Sequence, residues 1–159
     1  LKDKLIIFYK KNKLKIYLFF IFLLLAIISI FILEQNKNRK NIVIAERYIQ
    51  ADLYLSSKND VNAKKLFHEI ILSKNKFYSI LALNAILENN LTTDKNKILE
   101  YFAILEKMKF SKETKDIISL KKALYLIKAS DTKDGYNLLK ALIEKNSNLK
   151  SIAQDIIDK

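Results

Sequence analysis

The sequence predicts an all-α chain: an N-terminal helix that crosses a membrane, then a row of helical hairpins closed by a terminal capping helix. Three observations predict it. The 159 residues include one Gly and no Pro, so the positive-φ turns on which hairpin-built β folds depend have almost nothing to be made from. Residues 16–33 read IYLFFIFLLLAIISIFIL and carry no charge. After residue 41 the apolar positions recur at spacings of three and four, between short polar breaks.

The apolar run comes first in the chain. Its eighteen residues span roughly 27 Å at about 1.5 Å of rise per residue, close to the roughly 30 Å of a hydrocarbon core. A cleaved signal would need small residues just after the run. Phe31, Ile32, Leu33, Glu34, Gln35 and Asn36 stand there instead, so a permanent anchor is expected. Lys2, Lys4, Lys10, Lys11, Lys13 and Lys15 precede the run, whereas Lys37, Arg39 and Lys40 follow it. This excess places residues 1–15 in the cytoplasm as a basic tail, and everything after Glu34 on the far side. In a bacterium that is one pass through the inner membrane with the rest in the periplasm. Residues 34–41 read as a linker, and 42–159 as the folded domain.

Composition removes several function classes. With no Cys and a single His, His68, the chain has no ligand set for zinc or iron–sulfur and no thiol nucleophile. Gly135 alone cannot build a phosphate-cradling loop, so no cofactor is expected. His68 and Glu69 are adjacent on a helix and point about 100° apart, which keeps them from acting as an acid–base pair. Glu113 and Asp116 read as ion-pair partners of Lys112 or Lys121. No catalytic residue is expected. The net charge is +12, of which the tail's six Lys and Asp3 give +5, leaving +7 for the rest. Only Arg39 and Arg47 are Arg, and after the anchor no run of cations exceeds two. That scatter reads as a solvated helical surface rather than a nucleic-acid interface, and the tail cations have a use in fixing topology and meeting anionic lipid.

Seven helices are expected beyond the anchor. The first covers residues 41–57, with Ala45, Tyr48, Ala51, Tyr54 and Leu55 on its apolar side. Asp60 is placed to cap the second, 61–73, which carries Ala63, Leu66, Phe67, Ile70 and Ile71. Residues 77–89, 94–109 and 111–129 follow, the last capped by Ser111. The sixth runs to about residue 145, and a short seventh begins at Ser147 or Asn148. Links of two to five residues force antiparallel neighbours, giving three hairpins and a terminal helix.

The hairpins repeat. Residues 58–67 align with 130–139, so that Ala63 and Gly135, 72 apart, both supply a small residue where two helices cross, with a large apolar residue four later. Two periods of about 36 fit this spacing, with the midpoint at Lys97–Ile98 and Tyr101 or Phe102 as its large residue. Ala51, Tyr54, Ala63 and Phe67 resemble the small–large–small–large core positions of a tetratricopeptide repeat, and the whole reads as a tetratricopeptide-like solenoid. Asn75 departs from the pattern where Pro is common.

Tail, single crossing and degenerate helical hairpins together make the chain similar to the YfgM-like family, the tetratricopeptide-like ancillary subunits of the SecYEG translocon. The resemblance lies in Ala45-Glu46-Arg47-Tyr48, in residues 78–85, in the leucine-rich stretch 120–142, and in Ser151-Ile152-Ala153-Gln154-Asp155. It implies a periplasm-facing accessory whose partners are translocon subunits, periplasmic chaperones or exported polypeptides. A solenoid binds along the face lined by the first helix of each hairpin. By register that face takes in Tyr48, Asp52, Ser79, Ala82, Ile86, Asn89, Leu120 and Leu124, although its apolar members fit equally well as core. Two other readings stay open: an assembly factor with one fixed envelope partner, and a reversed topology in which the Lys-rich helices meet nucleic acid or lipid in the cytoplasm.

Overall fold

The computed structural model describes residues 2–158. Leu1, Lys159 and the side chains of residues 2–11 and 16 lie outside the described residues, and with them the expected roles of Lys2, Lys4, Lys10 and Lys11. The described backbone is helical: α1 (Lys2–Ser56), α2 (Asp60–Leu72), α3 (Tyr78–Glu88), α4 (Lys95–Glu106), α5 (Lys112–Lys128), α6 (Thr132–Glu144) and α7 (Lys150–Ile157). It divides into two compact units, Leu1–Val43 and Ile44–Lys159.

In the first unit α1 carries a window of mean hydropathy 3.2 with none of it buried, long and apolar enough to cross a membrane. Ser29, the polar residue inside the run, donates its hydroxyl to the carbonyl of Leu25 at 2.8 Å, so its hydrogen bond is met within the helix. The expected linker at 34–41 is helix, and the anchor merges with the first expected helix. The physical reason is that Glu-Gln-Asn-Lys-Asn-Arg-Lys-Asn is polar yet contains neither Pro nor Gly. Polarity alone does not stop a helix. Six separate helices therefore follow α1 among the described residues, rather than seven after the anchor.

In the second unit the last turns of α1 pack on α2 and α3. Tyr48 sets its ring 5.6 Å from Phe67 and 5.7 Å from Tyr78, and Ala51 and Ala63 are fully buried. Phe67, Ile70, Ile71, Leu83, Tyr101, Phe102 and Leu105 form the main core, each worth about 1.5–3 kcal/mol of burial. A smaller cluster, Ala123, Leu139, Leu142 and Ala153, holds α5, α6 and α7. Asn59 rather than Asp60 caps α2, its carboxamide oxygen accepting from the Asn62 N–H at 3.3 Å. Asp94 caps α4, and Ser111 caps α5 as expected.

Five helix ends turn through residues with positive φ, and none is Gly: Lys58, Lys74, Asn90, Ser130 and Asn146. At four of them the N–H of the positive-φ residue and that of the residue after it reach back to the last turn; Lys58 N donates to Leu55 O and Asn59 N to Tyr54 O, with the same pair of bonds after α3, α5 and α6. These ends recur with the helices. α2 and α6 start 72 residues apart and end 72 apart, as do the ends of α1 and α5 and the starts of α3 and α7. The pairs Lys58 and Ser130, and Lys74 and Asn146, keep the same interval.

The pairing of helices differs from that expected in one place. Among α2 to α7, the most extensive contacts are those of α5 with α6 and of α2 with α3, while α3 touches α4 only lightly. Small residues decide this. A Cβ on Gly135 would lie 2.5 Å from Ile127 Cγ1 and 2.9 Å from the carbonyl oxygen of Ala123, so α6 lies directly on α5. Ser79 and Ala82, fully buried, let α3 approach α2, and the Ser79 hydroxyl donates to Ile70 O at 3.1 Å. α4 instead turns Tyr101 toward His68 of α2 and Phe102 toward Tyr125 of α5, so its large side chains are engaged with other helices.

Candidate functional site

An open groove of about 530 Å³ lies between the end of α3 with the loop after it and one face of α5. Its apolar surface comes from Leu87, Ile98, Leu124 and Tyr125, with Ile86 beneath. Leu124 is 43% exposed. Helical spacing explains its α5 wall: Lys121, Leu124, Tyr125 and Lys128 sit at i, i+3, i+4 and i+7 and share a face. Glu88, Asn90, Thr92 and Thr93 line the opposite wall. Two ion pairs lie beside it: Lys122 with Glu106 at 2.8 Å ties α5 to α4, and Lys95 with Asp131 at 2.6 Å ties α4 to the turn between α5 and α6. Lys121 and Lys128 make no ion pair among the described residues. The Tyr125 ring lies 6.2 Å from that of Phe102, tilted by 41°. Burial, opposed by Lys95 and assisted by Asp94, raises the Tyr125 phenol above its ordinary range, so it stays protonated and able to donate.

The eight residues expected on one binding face do not lie together on an open surface. Ser79, Ala82 and Ile86 are fully buried, the first two under α2 as described above, and so serve as core. Tyr48 and Leu120 are half-buried against the two apolar clusters. Burial, with Asp52 and Glu88 nearby, raises the Tyr48 phenol. Asp52 is exposed, and Asn89 is exposed at the end of α3, its carboxamide donating to Ala85 O at 2.9 Å. Leu124 lines the groove, with Ile86 beneath it. Sequence reasoning missed Tyr125, Lys121 and Lys128, although their spacing around Leu124 was legible as one helical face.

Two further features lie outside the groove. A second cleft of about 480 Å³ is lined by Lys64, Lys65, His68, Lys97 and Tyr101 among others. His68 is half-buried beside the Tyr101 ring at 5.6 Å, with its Nδ1 covered and without a partner, while Glu69 pairs with Arg47 at 3.2 Å. Asp116 does not pair with Lys112 or Lys121 as expected. It is 3% exposed, accepts the Ser147 hydroxyl at 2.5 Å, and meets Lys145 Nζ at 2.5 Å. Burial pushes its pKa upward, but the bonds from Lys145 and Ser147 and the Lys145 charge outweigh this, leaving it below the ordinary Asp range. Ser147 also accepts the Leu149 N–H at 3.2 Å, so it organises the turn into α7 rather than opening that helix.

These features define an all-helical chain with one helix able to span a membrane and an open apolar groove on its second unit. Comparison with models of known protein families, with curated proteins and with solved structures finds no match to this chain.

Proposed function

We propose that this chain is a membrane-anchored scaffold that binds protein. The observation that carries the reading is the open groove, an apolar surface with polar walls on a helical unit whose chain also holds an apolar helix of spanning length. Helix spacing supports a tetratricopeptide-like arrangement: α2, α4 and α6 start at residues 60, 95 and 132, intervals of 35 and 37. Tethering raises the effective concentration of a weak binder for anything that passes along the same membrane.

The finer reading rests on the sequence resemblance. It makes the protein a single-pass bacterial inner-membrane accessory of the Sec translocon, N-terminus in the cytoplasm and helical unit in the periplasm, assisting chaperone handover of exported chains. Crosslinking of the anchored protein in native membranes, with mass-spectrometric identification of the products, tests it. Translocon subunits together with exported chains are the expected catch. A single unrelated envelope complex would replace this reading with that of an assembly factor, and cytoplasmic proteins alone would overturn it.

A further inference from the structure

We propose that the groove beside α5 takes an extended acidic segment of polypeptide, one apolar side chain seated over Leu124 and Tyr125 with a carboxylate on each side meeting Lys121 and Lys128. This rests on the protein-binding reading and gives it a chemistry.

The charges point to the occupant. Lys122 and Lys95, close by in sequence or space, are already paired with Glu106 and Asp131, whereas Lys121 and Lys128 have no acidic partner among the described residues. They flank the apolar surface on the same face of α5. Seven residues of helix separate them by about 10 Å along the axis at 1.5 Å per residue. An extended chain of polyproline II type advances about 3.1 Å per residue with three residues per turn, so carboxylates three positions apart share a side and span about 9 Å, which matches. The residue next to the first carboxylate then lies over Leu124 and Tyr125. Such a segment leaves backbone groups to satisfy, and the groove offers the protonated Tyr125 hydroxyl, the Asn90 carboxamide and the hydroxyls of Thr92 and Thr93. The opposite wall carries Glu88, which disfavours a polyanion filling the whole groove and directs acidic side chains to the α5 side. A single-headed anionic amphiphile would use only one of the two lysines.

The test uses the full chain in nanodiscs of neutral lipid and two labelled decapeptides. One has Glu-Phe-Ser-Glu at its centre; the other has Gln for both Glu. Anisotropy at about 50 mM salt should show the acidic peptide binding about tenfold more tightly, an advantage that shrinks by about 300 mM. The double substitution Lys121→Gln with Lys128→Gln should abolish that advantage while leaving helical circular dichroism unchanged, and Glu88→Gln should tighten binding about two- to threefold. Equal affinity for both peptides, indifference to the double substitution, or laurate binding where neither peptide does would overturn the proposal. A photo-crosslinker at Leu124 and another at Asp52, used in native membranes, separate the two levels. Protein captured reproducibly from position 52 alone sinks the groove and spares the scaffold. Capture from neither sinks both.

Discussion

At Gly135 the helix backbone of α6 rests on α5 with no room for a methyl group. An added Cβ would meet the Ala123 carbonyl at 2.9 Å and the Ile127 nitrogen at 3.2 Å, both backbone atoms that cannot rotate aside. Gly135→Ala should therefore destabilise the fold by about 1–3 kcal/mol, because the overpacking exceeds the roughly 1 kcal/mol gained in helix propensity. Urea unfolding of the full chain in detergent, followed by circular dichroism, measures it; a gain in stability would mean that α6 shifts freely. Asp116 makes a second residue-scale case. Its pKa is depressed in the folded state, so its contribution is fully present above the ordinary Asp value of about 3.9 and is lost as pH falls through the lower folded value. Asp116→Asn should cost about 1–3 kcal/mol near neutral pH. The difference from the natural protein should narrow as pH is lowered through that window, and a gap independent of pH would rule out the charged state as its source.

The helix ends carry their own test at the scale of the element. Five of them place a non-glycine residue at positive φ, a conformation in which Cβ crowds the backbone at a cost of roughly 1–2 kcal/mol for most residues. Asn tolerates it better than Lys. Lys74→Gly, at φ 54°, should then stabilise the protein by about 0.5–1 kcal/mol, more than Asn146→Gly at φ 51°. Thermal midpoints of the two variants settle the order, and an equal or reversed order would show that side-chain contacts dominate those turns. Element boundaries were legible in the sequence where a capping side chain or a clear apolar stripe marked them, as at Ser111 and along α2. The stretch 34–41 was not, because charged and amide side chains lie as readily on a helix as between helices. Nor was the weak contact of α3 with α4, which follows from which neighbour the small faces of α3 meet.

For the whole molecule, the unburied apolar helix sets the expected behaviour in cells. The protein should sediment with membranes, resist extraction by alkaline carbonate or high salt, and be released by detergent. Recovery in the soluble fraction would remove the anchor reading. A protease added to spheroplasts should degrade residues beyond the anchor and spare the N-terminal tail, if the cation asymmetry orients the chain as expected. The 72-residue recurrence of helix bounds and left-handed turns was visible in sequence through one aligned segment, residues 58–67 with 130–139, which pairs Ala63 with Gly135. Its extent appears only when helix ends and turn conformations are compared, because side chains at matching positions differ while the backbone geometry agrees.

The sequence by itself determined that the chain is helical, that one helix is apolar enough to span a membrane, and that small residues mark the close crossings. These are properties of composition and local spacing, read residue by residue. Tertiary structure decided which faces those helices cover. Ser79, Ala82 and Ile86 went into the core, Asp116 found Lys145 and Ser147 from thirty residues away, and Leu124 was left beside Lys121 and Lys128 at an open groove. A helical stripe states that a face is apolar. Whether another helix or solvent meets it depends on long-range packing, which no local spacing encodes.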